Sequence, residues 1–560
     1  MFKALFTTLC LSLCLTGYSQ QGYIFEDSIL VHTKDGAALS VMVMRKASSS
    51  TPLPVLLQFT IYVRDKGRDL RSLQEIADRG YVGVMAYTRG KRLSKDEIWP
   101  YENEHNDTYE VIDWISKQSW CNGSIGMFGG SYNGFSQWAA CKRLHPALKT
   151  IVPYVANRPG MGLPMENNIF INPNYEWSFY VGNNKYLDTL AGNDRKRFRS
   201  MMFRWWETGA AYNKMDSIDG TPNRWFQRWI AHPDFDTYWQ NMAPYGEDFK
   251  QINIPVLAID GYYNDSQNSS LYYLREIEKY HPAYLVIGPY SHFGAQIGGD
   301  TIINGYRVDS CAIINTKALT FDWMDHIFKN APLPAILHDK VNYEVMGANR
   351  WASAPDLSQT SQRYYLGIHP RSLTLTKPSR LLSIQQKVDF ANRKESNNDY
   401  YPDPIIRKEI DTSNGYAFTS APFNKDVVYT GSFSGELTFS INKKDVDLGV
   451  TLYEIQPDGT YFHLSYTIVR ASYALDPTHR QLLQPGKLVH IPLNNTHFVS
   501  KQLHKGSRLV VFVNVNKNPF SQLNYGTGKD VSTESIKDAG DPLQINWYNS
   551  SYIEVPINSD

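Results

Sequence analysis

The sequence lacks a surplus of charge of either sign and has no block of basic residues. Its 56 lysines and arginines are balanced by 55 aspartates and glutamates, which leaves a formal net charge of +1. Because nucleic-acid binding needs a concentrated positive surface, this composition argues against a nucleic-acid partner. Cysteine is also scarce, with five residues, and no cysteine and histidine cluster has the spacing of a metal site. We therefore expect neither a nucleic-acid partner nor a bound metal ion.

Long apolar runs are absent beyond the first part of the chain. The N-terminus combines Lys3, an apolar run over residues 4–15, and the small residues Gly17 and Ser19. This pattern is typical of a secretory signal peptide and is too short for a good membrane span; a buried N-terminal helix is the alternative. We predict that residues 1–19 are removed on export, and that the mature protein is secreted or periplasmic and has no membrane partner.

Strand and helix signals alternate in two stretches of the chain, and short alternating strands fill its last part. Continuous apolar runs such as PVLLQF and YVGVMAYT are typical of buried parallel strands, and the helical spacing between them predicts a doubly wound α/β region. An aromatic-rich stretch interrupts this pattern and predicts a mostly helical insertion. The last part predicts an all-β sandwich, with a jelly roll as the expected arrangement. The predicted units are a signal peptide (1–19), an α/β core (20–155 and 251–334), a helical cap (156–250) and a sandwich (335–560).

A serine surrounded by glycines lies between a predicted strand and a predicted helix, in the stretch GMFGGSYNG at residues 126–134. Ser131 therefore occupies a strand-to-helix turn of the kind that holds a nucleophilic serine with its hydroxyl exposed. The helix N-terminus and the Tyr132 amide provide positive potential for an oxyanion. An ordinary glycine turn is the alternative, and the surrounding α/β pattern favours the nucleophile.

A serine nucleophile needs a histidine base and an acid that orients the histidine. His292 follows the apolar stretch AYLVIGPYS, at the sheet edge where open α/β folds bind ligands. A structural histidine is the alternative, and the chain order of serine, acid and histidine favours the base. Two aspartates after the stretch IPVLAI qualify as the acid. We prefer Asp265, which lies beyond the turn, over Asp260, which is still on the strand.

An oxyanion hole of this kind needs a second donor, from the loop after the first central parallel strand. That loop contains Tyr62, whose phenol O–H could donate. A tyrosine that packs at a strand end is the alternative. One oxyanion donor is worth about 3–4 kcal/mol in rate, so the assignment matters for the chemistry.

Several stretches together resemble the family of cocaine esterases and X-prolyl dipeptidyl peptidases, serine hydrolases related to α-amino-acid ester hydrolases and glutaryl acylases. The stretches are GSIGMFGGSYNG, GYYND, GPYSH, TIYVRDKG and HPDFDTYWQ, and C-terminal segments are similar to the family's jelly-roll domain. The resemblance covers essentially the whole mature chain. It implies an α/β fold class, with an α/β-hydrolase core, an inserted helical cap and a C-terminal all-β jelly-roll sandwich.

The resemblance also implies roles for individual residues. Ser131 matches the family's nucleophile, His292 its histidine and Tyr62 its oxyanion-hole tyrosine. The family's acid directly follows a glycine and two aromatic residues; here that position is Asn264, and our candidate Asp265 comes one residue later. The implied reaction passes an acyl group from an ester or amide to the serine and then to water, which needs no cofactor.

The expected substrate is a small molecule or a short peptide with an ester or amide bond. X-prolyl dipeptidyl peptidase or other aminopeptidase activity and hydrolysis of a carbohydrate ester are alternatives, and so is a non-catalytic binding protein on a hydrolase scaffold. Recognition of a substrate ammonium would need carboxylates near the pocket, for which Asp234 and Asp236 are candidates. The stretch NDSQNS has no second acid beside Asp265, which argues against specificity for α-amino substrates.

Two cysteines flank the serine turn. The predicted strand runs forward from Cys121 and the predicted helix runs back to Cys141. Export permits disulfides, so we expect these two cysteines to lie close together and to form one at the base of the turn.

Overall fold

Strands and helices alternate from Tyr23 to Tyr154, in the first part of the predicted α/β core. The computed structural model describes residues 22–558 except residues 65, 359, 398 and 399, so the predicted signal peptide lies outside the described residues. The strands are β1 (Tyr23–His32), β2 (Ala38–Lys46), β3 (Leu53–Thr60), β4 (Val82–Tyr87), β5 (Cys121–Gly130) and β6 (Leu148–Tyr154). The helices are α1 (Lys66–Asp78), α2 (Glu104–Ser116) and α3 (Tyr132–Lys142).

A mostly helical segment follows, which we call the cap. It opens with a hairpin of β7 (Met165–Glu166) and β8 (Ile169–Phe170). Its helices are α4 (Pro173–Gly182), α5 (Thr189–Gly192), α6 (Arg195–Thr208), α7 (Met215–Asp219), α8 (Arg224–Ile230) and α9 (Thr237–Gln240), with 3-10 turns at Tyr212–Lys214 and Gly246–Gln251. Its tyrosine, tryptophan and phenylalanine side chains are largely buried against one another. The aromatic content of the cap is therefore explained mainly by its own core.

The α/β pattern resumes after the cap. The strands are β9 (Val256–Tyr263), β10 (Ala283–Ser291), β11 (Ile302–Ile303), β12 (Tyr306–Arg307), β13 (Val341–Val345) and β14 (Arg350–Ala354). The helices are α10 (Gln267–Ile277), α11 (Gly294–Ile297) and α12 (Thr316–Lys329), with a 3-10 turn at Ser310–Ala312.

Ten of these strands form one sheet in the order β1-β2-β4-β3-β5-β6-β9-β10-β13-β14. The interior pairs from β4 to β13 are parallel, and the edge pairs are antiparallel. Every residue of β4 and β9 is buried, because helices cover both faces of the sheet. The strand order reverses at β3 and β5, and a ligand site is expected beyond the carboxyl ends of strands at such a reversal.

The sheet continues beyond the predicted boundary between residues 334 and 335. β13 pairs in parallel with β10, with Val341 opposite Leu285, and β14 pairs antiparallel with β13. An alternating pattern predicts that a strand forms, but it does not say which sheet the strand joins. The last two strands of the N-terminal sheet therefore lie in the stretch that we predicted to open the sandwich.

The C-terminal part is rich in strands. They are β15 (Gln362–Gly367), β16 (Ser372–Thr374), β17 (Ser383–Val388), β18 (Ile406–Arg407), β19 (Gly415–Thr419), β20 (Val427–Ser432), β21 (Ser434–Ile441), β22 (Asp447–Ile455), β23 (Tyr461–Arg470), β24 (Val489–Leu493), β25 (Phe498–Leu503), β26 (Arg508–Val515), β27 (Leu543–Tyr548), β28 (Tyr552–Val555) and β29 (Ile557–Asn558). One sheet contains twelve of them, and a small sheet has the order β25-β20-β29. The predicted fold class, an α/β domain followed by a sheet-rich domain, is confirmed; the jelly-roll arrangement stays a prediction.

Cys121 and Cys141 do not form the disulfide that we predicted. Both are free and buried, at the start of β5 and near the end of α3. A strand advances about 3.3 Å per residue and a helix about 1.5 Å per residue. Because β5 and α3 have similar numbers of residues, the helix runs back along only about half of the strand and ends well short of Cys121.

We therefore predict that both cysteines are alkylated when the purified protein is unfolded without reductant. Mass spectrometry of the peptides that contain Cys121 and Cys141 measures this, and a sample reduced before alkylation is the control. Peptides joined through these two residues would contradict the prediction.

Candidate active site

Ser131 is the single residue between the end of β5 and the start of α3. Its backbone angles are φ 61° and ψ −122°. A positive φ is uncommon for a residue with a side chain and marks a strained turn. The Ser131 amide donates a hydrogen bond of 3.0 Å to the carbonyl oxygen of Tyr154 at the end of β6. The turn is thus held by the neighbouring strand.

Two glycines make this turn sterically feasible. Gly129 has φ 135°, a conformation that residues with a Cβ rarely adopt. A Cβ at Gly134 would lie 2.7 Å from the Tyr154 carbonyl oxygen and 3.0 Å from the Ala156 Cα. Larger residues at these positions would push α3 away from the sheet, so the close approach of strand and helix depends on both glycines.

Tyr62 follows β3, and its phenol oxygen lies 3.1 Å from Ser131 Oγ. The Trp177 Nε1–H, from α4 of the cap, donates to the same phenol oxygen over 3.4 Å, and the Tyr132 amide also hydrogen-bonds it. Because both of these groups can only donate, the Tyr62 proton is directed to Ser131 Oγ. Burial raises the pKa of Tyr62 above its ordinary value, which keeps the phenol a donor at neutral pH.

The side chain of Tyr132 is anchored beneath the turn. Its hydroxyl donates to Glu104 Oε1 and accepts a hydrogen bond of 3.1 Å from the Tyr101 amide. Glu104 is buried on α2, and burial raises its pKa to about 8. This buried contact fixes the first residue of α3, whose main-chain amide faces the Tyr62 phenol.

His292 directly follows β10. Its Nδ1 lies 2.8 Å from Asn264 Oδ1 and 3.6 Å from Asp265 Oδ1. Within the described part of the chain, no hydrogen bond joins His292 to Ser131, whose hydroxyl is bonded to Tyr62 instead. Catalytic hydrogen bonds are often long before substrate binds and tighten in the complex with substrate.

The two candidate acids occupy different environments. Asp265 is one-third exposed and lies at ion-pair distance from His292, and its Oδ1 accepts no hydrogen bond. Asp260 is completely buried in β9, where its Oδ1 accepts from the Gly261 amide at 2.7 Å and from Asn264 Nδ2 at 2.8 Å. Burial raises the pKa of Asp260 to about 6. Asp260 is therefore connected to the histidine only through Asn264.

A cavity of about 460 Å³ lies beside these residues, between the cap, the core and the C-terminal part. Asp265 lines it, whereas Ser131 and His292 do not. Glu166, which is buried in the hairpin of the cap, lines the same cavity and accepts a hydrogen bond of 3.3 Å from Asn268 Nδ2. Burial, and secondly the neighbouring Asp265 carboxylate, raise the pKa of Glu166 to about 8. Two interacting carboxylates thus lie at the wall of this cavity.

Asp234 and Asp236 are not at the cavity, contrary to our suggestion for substrate recognition. Asp234 accepts a hydrogen bond from the Tyr473 hydroxyl. Asp236 caps α9, where it accepts from the Tyr238 amide at 2.9 Å, and it pairs with His232 Nδ1 at 2.7 Å. Both aspartates are used in local structure, and composition alone does not distinguish such acids from pocket acids.

Two kinds of feature are absent from the described residues. None of their helices combines the length and the apolar composition needed to cross a bilayer. They also contain no group of three or more histidine, cysteine, aspartate or glutamate side chains arranged to hold a metal ion.

Sequence reasoning missed three residues that the structure brings to the site. Asn264 had a signal, because it occupies the position where the resembling family has its acid. No sequence signal pointed to Trp177 and Glu166. Both come from the cap, where the spacing of aromatic and acidic residues does not predict their positions in the structure.

Comparison with known proteins agrees with this architecture. Residues 35–294 match the X-Pro dipeptidyl-peptidase (S15 family) model, and residues 337–540 match the model of the X-Pro dipeptidyl-peptidase C-terminal non-catalytic domain. A cocaine esterase from Rhodococcus sp. (strain MB1 Bresler) is 24% identical over 586 residues, covering 96% of this chain and 99% of that protein.

Two solved structures have the same fold. An α-amino acid ester hydrolase superimposes with a TM-score of 0.79, covering 98% of this chain and 100% of that one. An aminopeptidase from a marine sediment Thaumarchaeota archaeon superimposes with a TM-score of 0.78, covering 96% and 97%. Both are 18% identical to this chain and thus show the fold alone. The matches to both family models, across the α/β and the sheet-rich domains, establish that the chain is a serine hydrolase of the X-Pro dipeptidyl-peptidase (S15) family, with a cocaine esterase among its relatives.

Proposed function

We propose that this protein cleaves an ester or amide bond through an acyl-enzyme on Ser131, with His292 as the base and Asp265 as the acid. The observation that carries the proposal is the 3.1 Å contact between the Tyr62 phenol and Ser131 Oγ at a turn of positive φ. A serine hydroxyl in such a turn is exposed to an incoming carbonyl carbon, and the phenol lies where the carbonyl oxygen becomes charged.

The reaction begins when His292 Nε2 takes the proton of Ser131 and the serine oxygen attacks the carbonyl carbon. The tetrahedral oxyanion accepts hydrogen bonds from the Tyr62 O–H and the Tyr132 amide, so the phenol keeps its proton and its hydrogen bond shifts from the serine oxygen to the oxyanion. His292 then gives its proton to the leaving group, and the acyl group stays on the serine. Water activated by the same imidazole releases the acid product.

The negative charge of Asp265 supports the proton transfer. At 3.6 Å from His292 Nδ1 it stabilises the imidazolium that forms in each step.

A substrate with a free amino group is a second candidate, which includes aminopeptidase activity. Glu166 and Asp265 interact at the wall of the cavity, and burial of Glu166 opposes its ionisation. An ammonium group between them would relieve this cost by forming charge-assisted hydrogen bonds. This arrangement favours substrates that carry a positive group.

We also propose that the protein is exported through residues 1–19. The proposal is supported by their sequence pattern alone. It is consistent with a substrate met outside the cytoplasm.

Replacement of the nucleophile is the first test. Ser131→Ala should abolish labelling by a fluorophosphonate probe and lower p-nitrophenyl acetate hydrolysis by about 10⁴-fold or more, because no oxygen remains to form the acyl-enzyme. Ser124→Ala on the same strand is the matched control and should behave as the wild type. Equal labelling of the Ser131→Ala protein would contradict the proposal.

Removal of the phenol hydroxyl tests the oxyanion hole. Tyr62→Phe should lower kcat for p-nitrophenyl acetate by about 10²- to 10³-fold with little change in KM, because the donor acts mainly on the oxyanion. Tyr186→Phe, at an exposed tyrosine, is the control. An unchanged kcat would remove Tyr62 from the reaction.

The proposed preference for substrates with a free amino group should depend on pH. We expect kcat/KM for L-alanine p-nitroanilide to exceed that for its N-acetyl form and to rise as pH increases towards 8, where Glu166 ionises. In the Glu166→Gln variant, the ratio of kcat/KM for the free amine to that for the N-acetyl form should fall about tenfold, and kcat/KM for the free amine should no longer rise with pH. Glu207→Gln, at an exposed position at the end of α6, should keep both. Equal rates on the two substrates would exclude this second function.

A further inference from the structure

We propose that different residues of this chain carry out the two functions of a triad acid, orientation of the histidine and supply of a negative charge. Asn264 is the positioning residue that orients His292, and Asp260 holds the Asn264 amide in place through a hydrogen bond. Asp265 supplies the negative charge. The inference rests on the proposed roles of Ser131 and His292 and deepens them.

The Asn264 side chain is buried and held at both ends. It is 1% exposed, its Oδ1 lies 2.8 Å from His292 Nδ1, and its Nδ2 lies 2.8 Å from Asp260 Oδ1. Its main-chain amide donates to the Gly261 carbonyl oxygen at 3.2 Å. The side chain therefore bridges the histidine and a carboxylate that is completely buried in β9.

Asp260 decides which way the amide of Asn264 faces. A carboxylate accepts hydrogen bonds and does not donate them, so the NH₂ group of Asn264 must point to Asp260. The carbonyl oxygen then faces His292, and a carbonyl oxygen can only accept. Nδ1 of His292 must therefore carry the proton, and Nε2 is free to take the proton of Ser131.

A neutral amide performs only half of what a triad carboxylate does. It fixes the tautomer and the orientation of the ring, but it offers no full charge to an imidazolium. Asp265 lies 3.6 Å from the same nitrogen without bonding to it and provides that charge. The two roles thus fall on neighbouring residues.

The amide at position 264 is matched to the acid at position 260. A carboxylate at 264 would face Asp260 Oδ1 across the present hydrogen bond of 2.8 Å. Two ionised carboxylates at that distance in a buried site repel each other strongly. We therefore expect the pair to tolerate one acid and one amide, in either order, but not two acids.

The exchange of the two groups tests this. Asn264→Asp and Asp260→Asn should each lower kcat/KM for p-nitrophenyl acetate, by about 10²-fold, because the first creates two acids and the second releases the amide. The double variant Asp260→Asn/Asn264→Asp should recover most of the loss. It should also move the acid limb of the pH profile to higher pH, because a carboxylate hydrogen-bonded to the ring stabilises the imidazolium. Asp265→Asn should move the acid limb to lower pH instead.

The inference is overturned if the double variant is no better than the worse single variant, or if Asn264→Ala keeps the wild-type rate and pH profile. It is also overturned if Asp265→Asn alone causes a loss of about 10⁴-fold, the size expected when the orienting group is removed. Asp and Asn side chains have nearly the same shape, so we expect the single and double variants to fold. Thermal melting of each variant separates a loss of folding from a loss of histidine orientation. If the wild-type protein is not labelled at Ser131 by a fluorophosphonate, the proposed function itself fails.

Discussion

The positive φ of Ser131 is the constraint on which the rest of the site depends. It allows β5 to turn directly into α3 and leaves the serine hydroxyl at the edge of the sheet. The strained turn is held by the hydrogen bond that the Ser131 amide donates to the Tyr154 carbonyl oxygen, and the absence of a side chain at Gly134 leaves room for it. The strand order reverses beside this turn, so Tyr62 after β3 meets the serine there.

Buried polar contacts then hold the groups around the serine. Glu104 holds the Tyr132 phenol under the turn, and Asp260 holds the Asn264 amide under the histidine. Each carboxylate is inside the protein, where an unpaired polar group would be costly, and each is used to fix a hydrogen-bonding partner. The cap contributes from the other side, where Trp177 directs the phenol proton. The geometry around the serine is therefore fixed by side chains that do not react.

The sequence was sufficient to predict the α/β fold and the sheet-rich domain, because their patterns are local. The placements of Ser131, Tyr62 and His292 could also be predicted, since each follows a strand at the same sheet edge. The contact of Asn264 with the histidine could not, because the distance between neighbouring side chains depends on how the turn after β9 closes.

Other expectations failed for physical reasons that spacing does not capture. The prediction of a disulfide between Cys121 and Cys141 was wrong because a helix rises only about half as far per residue as a strand. The cap acids Asp234 and Asp236 proved to be local structural groups. Glu166 was unforeseen, because it reaches the cavity from a two-residue strand whose position is set by tertiary packing.

The acyl-enzyme itself is the most direct test of the account. Acid quenching during turnover of p-nitrophenyl acetate, followed by peptide mass spectrometry, identifies the residue that carries the acetyl group. The account predicts one acetyl group on the peptide that contains Ser131, located on the serine oxygen. Turnover with no acetylated serine, or with the acetyl group on another side chain, would contradict it.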